Sequence, residues 1–116
     1  MGVIVTNNSA NLTASTKTAN LLAGTDLAFA PEDGTITLWA VSSAAGINIE
    51  MGVGADKAIT DREIIAIGTT LSTIDHMVAS FDVAGGAPLS LFFRETAAAG
   101  TTDVLWKVEF SSFEEQ

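Results

Sequence analysis

The chain has 116 residues, 47% of them hydrophobic and 16% charged, and a formal net charge of −9. That length accommodates one domain with one core, and so apolar a composition predicts folding rather than disorder. Five basic residues scattered among fourteen acidic ones repel a phosphate backbone, so no nucleic-acid partner is expected, and the absence of cysteine excludes disulfides, thiolate metal ligands and thiol nucleophiles. The longest apolar run is far short of a spanning helix, so no membrane insertion is expected. The opening "MGVIVTNNSA" lacks the basic flank and long apolar block of a secretory signal. The acidity keeps an apolar chain soluble or, as the lesser alternative, meets a basic partner.

In chain order, residues 1–20 come first as a polar lead-in, "TNNSANLTASTKTAN" from Thr6 to Asn20, with little to bury. They read as an extended N-terminal arm or a first strand. "NLLAG" and "DLAFA" follow as short strands. "APEDGT" is a turn whose Gly34 supplies a residue tolerant of positive φ. "TITLWAVSS" alternates, with Ile36, Leu38 and Ala40 on one face and Thr35, Thr37, Trp39 and Val41 on the other. After the turn "SSAAG", "INIEMGVG" sets Ile47, Ile49, Met51 and Val53 against Asn48, Glu50 and Gly52. "GADKAITD" reads as a turn and "REIIAIG" as a strand apolar on both sides. "HMVASFDV" places Met77, Ala79, Phe81 and Val83 opposite His76, Val78, Ser80 and Asp82.

Beyond the turn "VAGGAP", "PLSLFFRE" sends Leu89, Leu91 and Phe93 inward and Phe92 outward, unless a β-bulge swaps the two phenylalanines. After "TAAAGTTD", "DVLWKVEF" sets Val104, Trp106, Val108 and Phe110 against Leu105, Lys107 and Glu109. Residues 113–116 close the chain as an acidic tail. Strands and turns recurring every ~8–12 residues predict an all-β sandwich spanning 21–112. With roughly eight strands it suits a jelly roll, an immunoglobulin-like sandwich being the runner-up.

No catalytic, metal or cofactor residues emerge. His76 is the only histidine, and its neighbour Asp75 points to the opposite face of a strand, so a surface or loop role is expected. A metal-binding cupin needs several histidines around one ion. "DKAITDRE" offers Asp56, Asp61 and Glu63 without the order of a calcium loop. No nucleophile elbow or phosphate-binding glycine loop is present, so the expectation is that the protein is not an enzyme. A myristoylation-like start and sequons at Asn7 and Asn11 are short patterns that a polar segment produces by chance.

Large apolar residues fall opposite the core-facing positions on several strands. Trp39, Val41, Phe92 and Leu105, with Val3, Val5 and Leu12 of the lead-in, are therefore the candidate interface residues.

The arm "TNNSANLTASTKTAN", strands such as "TITLWAVSS" and "INIEMGVG", and the linker "AAAGTTD" together resemble the small decoration or cement proteins of tailed bacteriophages. The resemblance implies a jelly roll on the capsid surface of a virion, made in the host cytoplasm and often trimeric. Its partners would be its own copies and the major capsid protein, and its function would be mechanical. The alternative from another class is a carbohydrate-binding or receptor-binding jelly roll, with Trp39 or Phe92 stacking on a sugar ring.

Overall fold

The computed structural model describes residues 2–13, 17–44, 46–54, 56–64, 67–68, 71, 76–95 and 101–113. Among them seven strands form: β1 (Gly2–Thr13), β2 (Gly34–Ser42), β3 (Ile47–Val53), β4 (Asp56–Glu63), β5 (Met77–Val83), β6 (Leu89–Glu95) and β7 (Thr101–Ser112). All pair antiparallel, in a four-stranded sheet of order β1-β7-β2-β5 and a three-stranded sheet of order β4-β3-β6. The first strand lies beside the last, not beside the second as in an immunoglobulin sandwich.

Residues 17–30 complete the second sheet. They run along the outer side of β6, where the Thr18 and Leu21 amides donate to the carbonyls of Phe93 and Leu91 and Leu89 N donates to Ala28 O, each at 2.9 Å. The segment thus occupies the place of an eighth strand, and the two layers have the arrangement of a jelly roll.

It is not itself a regular strand, contrary to the expectation for "NLLAG" and "DLAFA". Asn20 Oδ1 accepts from both Leu22 N and Leu91 N at 3.1 Å, and Thr25 Oγ1 accepts from Leu27 N at 3.2 Å while donating to Leu22 O at 2.7 Å. Side-chain bonds of this kind compete with ladder bonds and turn the backbone. The turns drive Leu22 and Leu27 fully into the core.

Period-two alternation explains the rest of the core. Ile36, Leu38, Val104, Trp106, Val108 and Phe110 from one sheet meet Ile47, Ile49, Met51, Leu89, Leu91 and Phe93 from the other, all buried. The β3–β6 register runs unbroken from Ile47↔Glu95 to Val53↔Leu89, so there is no bulge and Phe92 faces outward. Arg62 of β4 donates from its guanidinium to the Val78 carbonyl of β5, tying the two sheets along one side.

Of the two readings of the lead-in, arm or first strand, Gly2–Thr13 takes the second, pairing along β7 as an edge strand. Three local expectations are corrected. "DKAITDRE" is β4 rather than a turn. The turn before it is the tight hairpin at Gly54 (φ 61°), and the strand's polar side chains suit a sheet edge. Gly34 lies inside β2 and not at a positive φ; a Cβ there would strike the Ser111 carbonyl and the Phe110 ring, so close approach to β7 demands glycine. In β5 the register jumps from Leu38↔Ala79 to Trp39↔Met77, a bulge that turns Val78 toward the core and Met77 outward. Gly86, at φ 85°, does serve the turn between β5 and β6.

Candidate functional site

With the core accounted for, function lies on the outer faces of the two sheets. On the four-stranded sheet, Trp39 stands in a cross-strand row with Met77 of β5 and Lys107 of β7, and Val41 stands opposite Leu105. Trp39 is only 9% exposed and Val41 is fully buried, yet neither belongs to the core between the sheets. Their cover is the chain itself. Ile67 bridges to Ser42 and Gly68 N donates to Ser42 O at 2.9 Å, so close beside Val41 that a Cβ on Gly68 would lie 3.6 Å from a Val41 methyl. The Lys107 ammonium sits 5.0 Å from the Trp39 ring centroid, a cation–π contact that closes another side.

This corrects the expectation that a companion molecule covers Trp39 and Val41. Val3 and Val5 are corrected too, since they pack on the protein's own core while Ile4 between them points outward. Leu105 is half-buried, and the Leu12 side chain lies outside the described residues. The apolar patch nevertheless has an open rim. Ile67 is 59% exposed and Met77 58% exposed, both beside the Trp39–Val41–Leu105 floor.

The outer face of the three-stranded sheet has the opposite character. Asn48, Arg94 and Lys17 form one cross-strand row, and Glu50 and Phe92 the next. Glu50 Oε2 lies 3.0 Å from Lys17 Nζ and Oε1 lies 2.9 Å from Lys57 Nζ. Hydrogen bonds from Lys57 and then Lys17 hold the Glu50 carboxyl below its ordinary value, against a smaller opposing effect of burial. The Lys17 ammonium also stands 4.6 Å from the centroid of the half-buried Phe92 ring. Lys17, Asn48, Glu50, Phe92 and Arg94 together line a shallow groove. Such a groove offers charged donors, an amide, a carboxylate and an apolar ring within one small area.

His76 is half-buried just before β5, where its backbone carbonyl accepts from Ala40 N at 3.1 Å; Asp75 lies outside the described residues. Asp56 and Glu63 sit at opposite ends of β4, and the Asp61 side chain is outside the described set. Among the described residues, no three His, Asp or Glu side chains converge as metal ligands, and no helix is long and apolar enough to cross a membrane.

Composition alone did not single out the groove, because Lys17 and Glu50 are 33 residues apart and only the pairing of 17–30 with β6 joins them. The exposed rim had a partial signal in "REIIAIG", apolar on both sides.

No family model and no curated protein matches the chain. Among solved structures it is similar to the C-terminal CBM6 of LamC, a marine laminarinase from Zobellia galactanivorans. The identity is 11% over 96% of this chain and 91% of that one, with a TM-score of 0.34. A similarity of that size assigns neither a family nor a ligand.

Proposed function

We propose that the protein is a structural virion component, a decoration or cement subunit that attaches to a bacteriophage shell and to its own copies through the outer face of the four-stranded sheet. The observation that supports this reading is the pair of exposed side chains Ile67 and Met77 on the rim of the Trp39–Val41–Leu105 floor. Large apolar side chains left open around one face make a contact surface. A trimer would multiply weak contacts with the shell into firm retention. The role needs no cofactor and no reaction, and the acidic remainder of the surface keeps the subunit away from packaged nucleic acid.

Light scattering tests it, with a trimer expected. Covering the exposed parts of Ile67 and Met77, which are 59% and 58% open, would contribute about 1–2 kcal/mol each per copy. The double variant Ile67→Ser/Met77→Ser should therefore weaken association on the order of 30- to 1,000-fold without unfolding the monomer. A wild-type protein that stays monomeric at high concentration and does not sediment with shells refutes the role.

A second reading has its own observation. The groove around Phe92, with Asn48, Glu50 and Arg94 beside the ring, suits a sugar: a ring for its C–H face and planar polar groups for its hydroxyls. On this reading the domain is a carbohydrate- or receptor-binding module, and glycan binding would be lost in Phe92→Ala.

A further inference from the structure

We propose that the Gly2–Thr6 edge of β1 is a two-fold contact, at which a second copy of the chain lays its own β1 antiparallel and joins the two four-stranded sheets into one. This goes beyond the cement reading, because the contact lies at the edge of the sheet and not on its outer face.

The open edges are unequally guarded. The sandwich has four, at β1 and β5 of one sheet and at β4 and β6 of the other. Residues 17–30 occupy the outer side of β6. Five of the eight residues of β4 (Asp56, Lys57, Asp61, Arg62 and Glu63) are charged, the usual defence of an open edge. β5 carries Asp82, is bulged next to Met77, and gives its Val78 carbonyl to the Arg62 guanidinium. From Gly2 to Ser9, β1 has none of these devices. It holds no charge and no proline, and its register against β7 is unbroken from Gly2↔Ser111 to Ser9↔Val104. Among the described residues, no segment pairs with its other side.

Sequence and charge name the occupant. Val3, Ile4 and Val5 read the same in both directions, so antiparallel pairing about Ile4 sets each Ile4 opposite its own counterpart and each Val3 opposite a Val5. The two valines already pack on the core, and Ile4 stands 56% exposed on the other face. The pairing therefore prolongs the core beneath the joined sheet and covers the isoleucines above it. Each copy carries a net charge of −9, so copies repel wherever carboxylates meet. The charge in the Ile4 row is Glu109, one strand back on β7. Its two copies would stand three strand spacings apart, about 14 Å, beyond the Debye length of ~8 Å at physiological salt. A strand from a different protein would have to supply the same apolar alternation, which a second copy already has. One large side chain per copy is open here against two at the Ile67–Met77 rim, so edge pairing is the weaker contact and adds to the trimer at higher concentration.

The experiment is sedimentation of Ile67→Ser/Met77→Ser over a wide concentration range, because that double variant lacks the outer-face contact and keeps this one. A monomer–dimer equilibrium is expected. Adding Ile4→Lys, which sets two ammoniums against each other across the dyad, should weaken the dimer at least about 10-fold, whereas Ile4→Val should keep it. In the wild type, hydrogen exchange of residues 2–6 should slow as concentration rises. A double variant that stays monomeric, a dimer indifferent to Ile4→Lys, or exchange independent of concentration overturns the proposal. Whether the wild type reaches a trimer is read separately, so the cement reading can fail while this one stands, and the reverse.

Discussion

Replacing Trp39 with alanine measures where its cover comes from. The indole is 9% exposed, with Gly68 crossing beside its neighbour Val41 and Lys107 reaching over its ring. Truncating so large a buried aromatic removes its transfer energy and leaves a cavity, together about 3–5 kcal/mol. With a urea dependence of about 1.5–2 kcal/mol per molar, the unfolding midpoint should fall by roughly 2 M. Circular dichroism and the emission of the remaining Trp106 follow the transition, and Trp39→Phe, which keeps a ring, should recover most of the loss. Because the cover is intramolecular, the loss must be the same in dilute and concentrated protein. A loss below about 1 kcal/mol in dilute protein, growing with concentration, would refute the reasoning and restore a companion chain as the cover.

Two further outcomes concern the segment along β6 and the ion cluster beside it. Asn20→Ala removes the acceptor for two amides, Leu22 N and Leu91 N, and should cost about 2–4 kcal/mol in urea unfolding, whereas Asn20→Asp keeps that acceptor and should cost less. Glu50 has its folded-state carboxyl lowered from the ordinary 4.5, so its contribution is complete above that value and is lost as the pH falls through the lowered one. A pH series of unfolding should accordingly show a steeper acid limb for the wild type than for Glu50→Gln.

The alternation in β2, β3, β6 and β7 was legible in the sequence because each of those strands buries one face and wets the other, and Phe92 was rightly placed outward on that ground. The same alternation puts Trp39 and Val41 on the correct face but carries no information about what covers them. Periodicity reports which way a side chain points and is silent about a crossing chain more than twenty residues downstream, here at Ile67 and Gly68. Met77 was misplaced for a smaller reason: one extra residue in the β2–β5 ladder inverts everything before it. "NLLAG" and "DLAFA" look like strands by their leucines alone, but Asn20 and Thr25 carry the bonds that a ladder would otherwise supply. The groove was invisible because its parts, Lys17, Glu50 and Arg94, meet only through tertiary pairing.

The turning segment that stands in for an eighth strand also seals one edge of its sheet. Along β6 the backbone donors and acceptors are spent on Thr18, Asn20, Leu21 and Ala28, so a neighbouring molecule finds no ladder there to extend. Strand addition on that flank is closed off, so a second chain that docks by extending a sheet has only the edges at β1, β5 and β4 to use.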